Sequence, residues 1–425
     1  LAPSTREYDA AVIAAAVILR RSRRSTGIPA IILELVSDTM PLDLGRQLVV
    51  RWPDPDPSHL PLLRKVGIEA ALLDKPAAAF EHAASGVGII VAAATEAGQA
   101  IRGGLWPGVR DQPRRERDDE VASASREPWV DQNGHLYAME RALKPGTVPV
   151  GGTLPPADRM VPFETLELAL IEARVNGGNF VLALDTRYRE QLLNTGAKAL
   201  AAWESLGKTA AWLKHNSALF GRPALPFITA AVEPGLASAE IAKLLYRRNA
   251  SPALVSAANV ASAGAMTALT AAGLKSVPEA AYAHARRGAT VVVDARPDPS
   301  WKLTRKDADR DFYSLGRGQV VAYHKRIADP SEFALDVIDL VGHRSRAARL
   351  WNAPAAVLLA TSGGLLHIIN YGSPVEELQA RVQGHFTRAT LLRPDAAPQP
   401  LKIFRRGSTT EVFLPVTRLA VVRFE

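Results

Sequence analysis

The chain has 425 residues, 47% hydrophobic and 22% charged, an ordinary globular make-up too long for one core of usual size. Its net charge of +8 is dispersed, and the dense runs Arg20–Arg24 and Arg114–Glu120 are not interleaved with aromatics, so no nucleic-acid partner is expected. The absence of cysteine excludes disulfides, thiolate metal sites, iron–sulfur clusters and a cysteine nucleophile.

Residues 10–19 (AAVIAAAVIL) read as part of an opening helix, too short for a membrane span and with arginines on the C-terminal side. An intact signal peptide carries its charge in front, so this is not one; removal of a leader, and export to the periplasm or beyond, stay open. An apolar run, PAIILEL (29–35), follows.

From there strand, turn and helix alternate. QLVVRW (47–52) reads as a strand, PDPDPS as a turn, HLPLLRKVG as a helix, IEAALLD as a strand, AAAFEHAAS as a helix and GIIVAAA as a strand. Strands apolar on both faces between amphipathic helices predict a parallel sheet covered by helices, here a (β/α) TIM-like barrel. Residues 97–123, rich in Gly, Pro and mixed charge, read as a long rim loop. The rhythm resumes near Glu127–Asp131 and continues through helix HLYAMERAL, strand TVPVGG, helix FETLELALIEARVNG and strand NFVLALD (179–185). A long helix over 200–219 closes this part, with Trp203, Leu206, Ala210 and Leu213 at core-packing spacing. About six barrel strands are legible, so either the barrel is contracted or two strands lie in the first 45 residues.

Composition shifts around Arg222–Pro226. FITAAVEPG, helix SAEIAKLLYRRN, strand PALVSA, a helix near 263–272, HARRGATVVVDA and GRGQVVAYHK predict a second, smaller α/β sheet ending near Trp351. Six strands separated by turn residues then predict a small β-sandwich: AAVLLA, LLHIINY, HFTRATLLR, LKIFRR, TTEVFLP and RLAVVRF. The expected domains are therefore 1–222, 223–351 and 352–425.

There is no P-loop, no GxSxG elbow, no HExxH or HxH, and GVGIIV (86–91) lacks the third glycine of a dinucleotide fingerprint. No cofactor or histidine metal site is expected. What remains is acids at the ends of barrel-like strands: Asp54, Asp74, Glu96, Glu127, Asp131 and Asp185. Trp52, Trp106 and Trp129 lie in or near the same segments, and an indole face stacks on the apolar face of a sugar ring. Glycoside hydrolysis needs a carboxyl proton donor and a second carboxyl as nucleophile or base. For each acid the ordinary alternative is capping the next helix or pairing with an arginine. NGGN (176–179) and GRG (316–318) read as turns, and Trp351–Ala353 as a domain junction.

In block order the chain resembles the family 42 β-galactosidases and related bacterial glycoside hydrolases. EARVNGGNFVLALD with WESLGKTAAWLKHNSALFG resembles the last barrel strand and its closing helix; RRGATVVVDA and YSLGRGQVVAYH resemble strands of an amidotransferase-like middle domain; the all-β tail resembles the terminal sandwich. The resemblance implies Glu127 as acid/base, although Arg126 replaces the family's Asn before it. It also implies a nucleophilic glutamate at the seventh strand, which has no counterpart between Val148 and Asp185; Asp185 is then the partner carboxylate. Trp52, Trp106, Trp129, Asp131 and Asp74 would contact an oligosaccharide or glycoside, and homo-oligomerisation is expected. The alternatives are a saccharide-binding relative without catalysis and a structural or assembly protein.

Overall fold

β1 (Val49–Arg51) starts an open parallel sheet, its two valines wholly buried. In a computed structural model the described residues are 41–96, 101, 104–110, 128–158, 160–327, 329–342 and 346–425. The opening helix, PAIILEL, most of the rim loop and Glu127 fall outside them.

Asp56 accepts a hydrogen bond from Ser58 N and starts a short turn that leads through Pro57 into α1 (Leu60–Lys65). β2 (Ala70–Leu73), α2 (Ala78–Gly86) and β3 (Ile90–Ala93) follow, and β1–β2 and β2–β3 pair in parallel. β4 (Gly108–Arg110) and β5 (Trp129–Asp131) form a separate antiparallel pair, so the segment expected as a further barrel strand stands outside the parallel sheet. Then come α3 (Gly134–Leu143), β6 (Val150–Gly151), α4 (Thr165–Val175), β7 (Asn179–Phe180) and β8 (Leu182–Ala183). Only Val181 separates β7 from β8, so the two act as one strand, pairing in parallel with β6 through β7 and with β1 through β8. The strand order is thus β3-β2-β1-β8, with β6 beyond. This is an arc; among the described residues no closed barrel forms. The Asn179 amide locks the arc from below, donating to Leu44 O at 2.6 Å and Gln47 O at 2.7 Å.

After β8 come α5 (Thr186–Leu193) and α6 (Ala197–His215), the long helix expected from the sequence. Trp203, Leu206 and Leu213 are buried as predicted, and the Trp203 indole donates to Leu62 O at 3.1 Å. α6 approaches the end of α1 at Gly207, where a Cβ would come within 2.8 Å of Val66 Cα.

The second sheet comprises β9 (Ile228–Val232), α7 (Leu236–Arg247), β10 (Ala253–Ser256), β11 (Ala268–Thr270), α8 (Glu279–Arg287), β12 (Thr290–Val293), β13 (Lys302–Lys306), β14 (Arg310–Leu315), β15 (Gly318–Tyr323) and α9 (Pro330–Val341). Its order is β10-β9-β11-β12-β15-β14-β13. The five parallel strands follow the 2-1-3-4-5 order of a doubly wound fold, and an antiparallel meander extends one edge. Among the described residues this sheet has seven strands. The helix expected near 263–272 is corrected, because Ala268–Thr270 is a wholly buried strand between β9 and β12. Alanine's helix preference is under ~1 kcal/mol per residue, and burial in the centre of a sheet overrides it.

The tail is a β-sandwich. One sheet orders β16 (Ala348–Trp351), β19 (Val375–Gln383), β23 (Thr409–Val416) and β22 (Phe404–Arg406). The other orders β17 (Ala356–Thr361), β18 (Leu365–Asn370), β24 (Leu419–Phe424), β20 (Ala389–Arg393) and β21 (Ala396–Pro400). Nine strands replace the six expected; β19 carries charge on its open face, and β21 is an exposed edge with two prolines. Alternation explains why β17, β18 and β24 read as apolar on both faces. Leu358, Leu366, Ile368, Ala420 and Val422 point into the sandwich, while Val357, Leu359, Leu365, Ile369 and Val421 join the core of the first sheet.

Candidate functional site

Three of the acids singled out in the sequence, Asp54, Asp74 and Asp185, lie beyond the carboxyl ends of adjacent strands of the first sheet. Asp74 directly follows β2 and is paired with Arg51 at the end of β1, at 2.8 Å. Asp54, three residues beyond β1, is paired with Arg189 of α5 at 2.7 Å. Asp185, two residues beyond β8, caps α5: its Oδ1 accepts from Tyr188 N at 2.6 Å. Because β2, β1 and β8 are neighbours, these acids form a row. Glu96 ends a short turn after β3. Glu127 lies outside the described residues.

The tryptophans are placed differently from one another. Trp52 is fully buried, with its ring edge-on to His59 at 5.7 Å. Trp106 is buried over β7, donating to Thr165 Oγ1 at 2.7 Å and meeting Phe180 edge-on. Trp129 is half-buried; its indole donates to the buried Asp131 at 3.1 Å, and the Arg247 guanidinium lies 3.5 Å over its ring. Asp131 and Trp129 therefore belong together, on the side facing α7.

Two acids that sequence reasoning passed over are buried on α4. Glu167 accepts from Thr209 Oγ1 at 2.6 Å and Ser205 Oγ at 2.9 Å, and pairs with Arg418 of the sandwich at 3.0 Å. Glu172 accepts from Asn133 N and the Tyr371 hydroxyl, each at 2.6 Å, and from Asn133 Nδ2 at 2.9 Å. Burial raises the Glu172 carboxyl above its ordinary range, and the Tyr371 and Asn133 donors pull it back part of the way. Tyr371 itself is pushed well up by burial and by Glu172. The available signal was two glutamates inside the otherwise apolar TLELALIEARV, since a charge on a buried helix requires partners. These acids tie α4 to α6, to the β5–α3 turn and to the sandwich.

A cavity of about 640 Å³ opens between α3 and α7. Its polar lining includes His135, Glu140, Glu240 and Lys243, with Leu136 and Met139 among its apolar walls. Among the described residues the buried His135 Nδ1 has no hydrogen-bond partner, and burial, then the charge of Lys243, brings its pKa down to about 3. A neutral imidazole offers one donor and one acceptor, which suits a hydroxyl-bearing ligand more than a proton-transfer role near neutrality. Among the described residues no group of three potential metal ligands forms, and no helix is long and apolar enough to cross a membrane.

No protein-family model matches the chain, and no curated protein does. Solved structures are similar to it. An α-L-fucosidase isoenzyme 2 from Paenibacillus thiaminolyticus aligns at TM-score 0.46 and 10% identity, over 68% of this chain and 63% of that one. A β-galactosidase from Bacillus circulans sp. alkalophilus aligns at 0.46 and 10%, over 69% and 58%. A catalytic mutant of Gan42B, a GH42 β-galactosidase from G. stearothermophilus, aligns at 0.44 and 11%, over 69% and 56%. The chain thus spans less than two thirds of the length of each of these structures.

Proposed function

We propose that this chain is a carbohydrate-active protein of the glycoside hydrolase type, holding its saccharide at the carboxyl edge of the first sheet. The observation that carries this reading is the row of Asp74, Asp54 and Asp185 on adjacent parallel strands. Carboxyl ends of parallel strands are where α/β folds assemble ligand sites, and cleaving a glycosidic bond takes two carboxyl groups. In this proposal residues 1–222 are a contracted (β/α) barrel-like domain, 223–351 an amidotransferase-like domain and 352–425 the sandwich. Glu127 is the acid/base and Asp185 its partner, while Asp74 and Asp54, steadied by Arg51 and Arg189, hydrogen-bond sugar hydroxyls.

A second reading, saccharide binding without hydrolysis, is favoured by one fact: all three acids of the row already hold an arginine or a helix N-terminus. An aryl-glycoside panel with wild type, Glu127→Gln and Asp185→Asn separates the two. Hydrolysis predicts turnover that falls at least ~100-fold in either variant. Equal turnover in all three proteins would remove both assignments. No turnover, with saturable oligosaccharide binding by calorimetry, selects the second reading; neither turnover nor binding would end the carbohydrate proposal.

A further inference from the structure

We propose that a cavity at the amino edge of the first sheet binds a small organic carboxylate with an apolar body. This site lies at the opposite end of the strands from the row of aspartates and does not depend on the saccharide reading. The cavity measures about 570 Å³, within the roughly 300–1,000 Å³ usual for small-molecule sites. Its lining gathers residues that lead into four neighbouring strands: Leu48 before β1, Glu69 before β2, Val148 before β6, and Gly177 with Gly178 before β7. The turn at 176–179 is thus part of its wall. Gly177 has φ +77°, and a Cβ there would stand 2.5 Å from Arg141 Nη1, so glycine lets that guanidinium lie against the backbone.

Two half-buried arginines line the cavity and are held by backbone carbonyls. Arg141, near the end of α3, donates to Asn176 O at 3.1 Å and Gly221 O at 2.7 Å. Arg174, near the end of α4, donates to Gly45 O at 3.4 Å and Arg46 O at 2.9 Å. Carbonyls fix a guanidinium without cancelling its charge, and among the described residues neither arginine forms an ion pair with a carboxylate. A guanidinium has five N–H donors, so each keeps some for a ligand. The helix ends nearby carry only about half a negative charge each, against a whole positive charge on each arginine. Glu69 is the one carboxylate among the described lining residues, and it is occupied: it accepts from Leu48 N at 2.9 Å and pairs with Lys214 at 2.7 Å. Arg46, also at the lining, is exposed and lies 3.7 Å from Asp43. Two cations therefore remain, which favours a single carboxylate over a multiply charged phosphate. Burial lowers the Arg174 pKa against the pull of Glu69 and Asp43, so a further anion would steady its charged form. Leu170, Leu213 and Phe220 supply an apolar wall for the organic body. Guanidinium forks match a carboxylate in a bidentate geometry that ammonium groups do not reproduce.

Calorimetry and thermal unfolding of the full chain with sodium phenylacetate, hydrocinnamate and octanoate, each matched in ionic strength to sodium chloride, test the site. The expected result is saturable binding of at least one of the three and a midpoint raised above the chloride control. The amide of whichever acid binds keeps the body without the charge, and acetate keeps the charge without the body; each should bind at least about tenfold more weakly. Arg141→Gln and Arg174→Gln should each weaken binding about tenfold or more, with partial recovery in Arg141→Lys. Arg388→Gln, an exposed arginine paired with Glu425 in the sandwich, should bind as wild type does. Circular dichroism in chloride checks the fold of each variant. If the arginine variants do not fold, Val148→Glu carries the comparison: it adds a carboxylate at a wall position that is 45% exposed, keeps both arginines, and should also weaken binding about tenfold or more. No response beyond chloride, equal affinity for acid and amide, or binding unchanged in Arg141→Gln or in Val148→Glu would overturn the site. Phenyl phosphate binding more tightly than every carboxylate would overturn the ligand assigned to it.

Discussion

Replacing Tyr371 by Phe removes a single hydroxyl from the seam between α4 and the sandwich. That hydroxyl donates to buried Glu172 at 2.6 Å, bridging residues 199 positions apart. A hydrogen bond to a charged group contributes about 1.5–3 kcal/mol, and Glu172 keeps both donors from Asn133, so a loss of about 2 kcal/mol is expected. In a chain of this length that lowers the thermal midpoint by roughly 2–3 °C. The pH dependence is the sharper test. Burial raises the folded pKa of Glu172, so its contribution to stability is fully present below the unfolded carboxyl value of about 4.3 and is lost as pH rises through the folded value. Tyr371 opposes that rise, and without it the ionised carboxylate is harder to hold. Tyr371→Phe should therefore lie nearest wild type around pH 5 and fall further behind by pH 8 in urea unfolding. Glu172→Gln combined with Tyr371→Phe should cost less than the sum of the two single changes. A deficit that stays flat or shrinks from pH 5 to pH 8 would refute a charged acceptor at this seam.

His367 is buried between Leu219 O and Leu359 O, and burial lowers its pKa to about 4 despite those carbonyls. Its stabilising contribution is present above about 6.5 and lost as pH falls toward 4, about 3 kcal/mol in all, so urea midpoints of His367→Gln should decline less over that window. Asp185→Ala should cost about 1 kcal/mol through loss of the α5 cap, whereas Asp185→Asn, an equally good cap, should unfold at nearly the wild-type urea concentration. Gly207→Ala adds a better helix former yet should destabilise by about 1–3 kcal/mol, because the new Cβ meets the Val66 backbone; a raised urea midpoint would contradict that packing. Arg418→Ala leaves the nearly buried Glu167 without its cation and should cost about 3 kcal/mol in the same assay, with Glu167→Gln recovering part of the loss when combined.

Much of the architecture was legible in local pattern. Runs such as QLVVRW and IEAALLD are apolar on both faces because each strand lies between two layers, and the structure makes them β1 and β2. In RLAVVRF the period of two separates Ala420 and Val422 from Leu419 and Val421, and the structure assigns each pair to a different core. The cap at Asp185 was likewise visible as an alternative, since an acid directly before a helix start has that role wherever the chain lets it.

What local pattern could not reach was partnership. An alanine-rich run near 263–272 carries helix propensity in isolation, and only the slot between β9 and β12 makes its centre a strand. Nothing in the spacing of Trp129–Asp131 says that β5 pairs with β4 and leaves the parallel arc open. Glu172 finds Tyr371 across 199 positions, and Glu167 finds Arg418 of the sandwich. The sequence alone therefore determined most strands and helices and which face of each is apolar, because backbone geometry sets those periods residue by residue, and it failed at 263–272, where burial within a sheet decided. Tertiary structure alone decided whether an acid caps, pairs or lies buried, because that depends on which distant side chains the folded chain brings within hydrogen-bond reach.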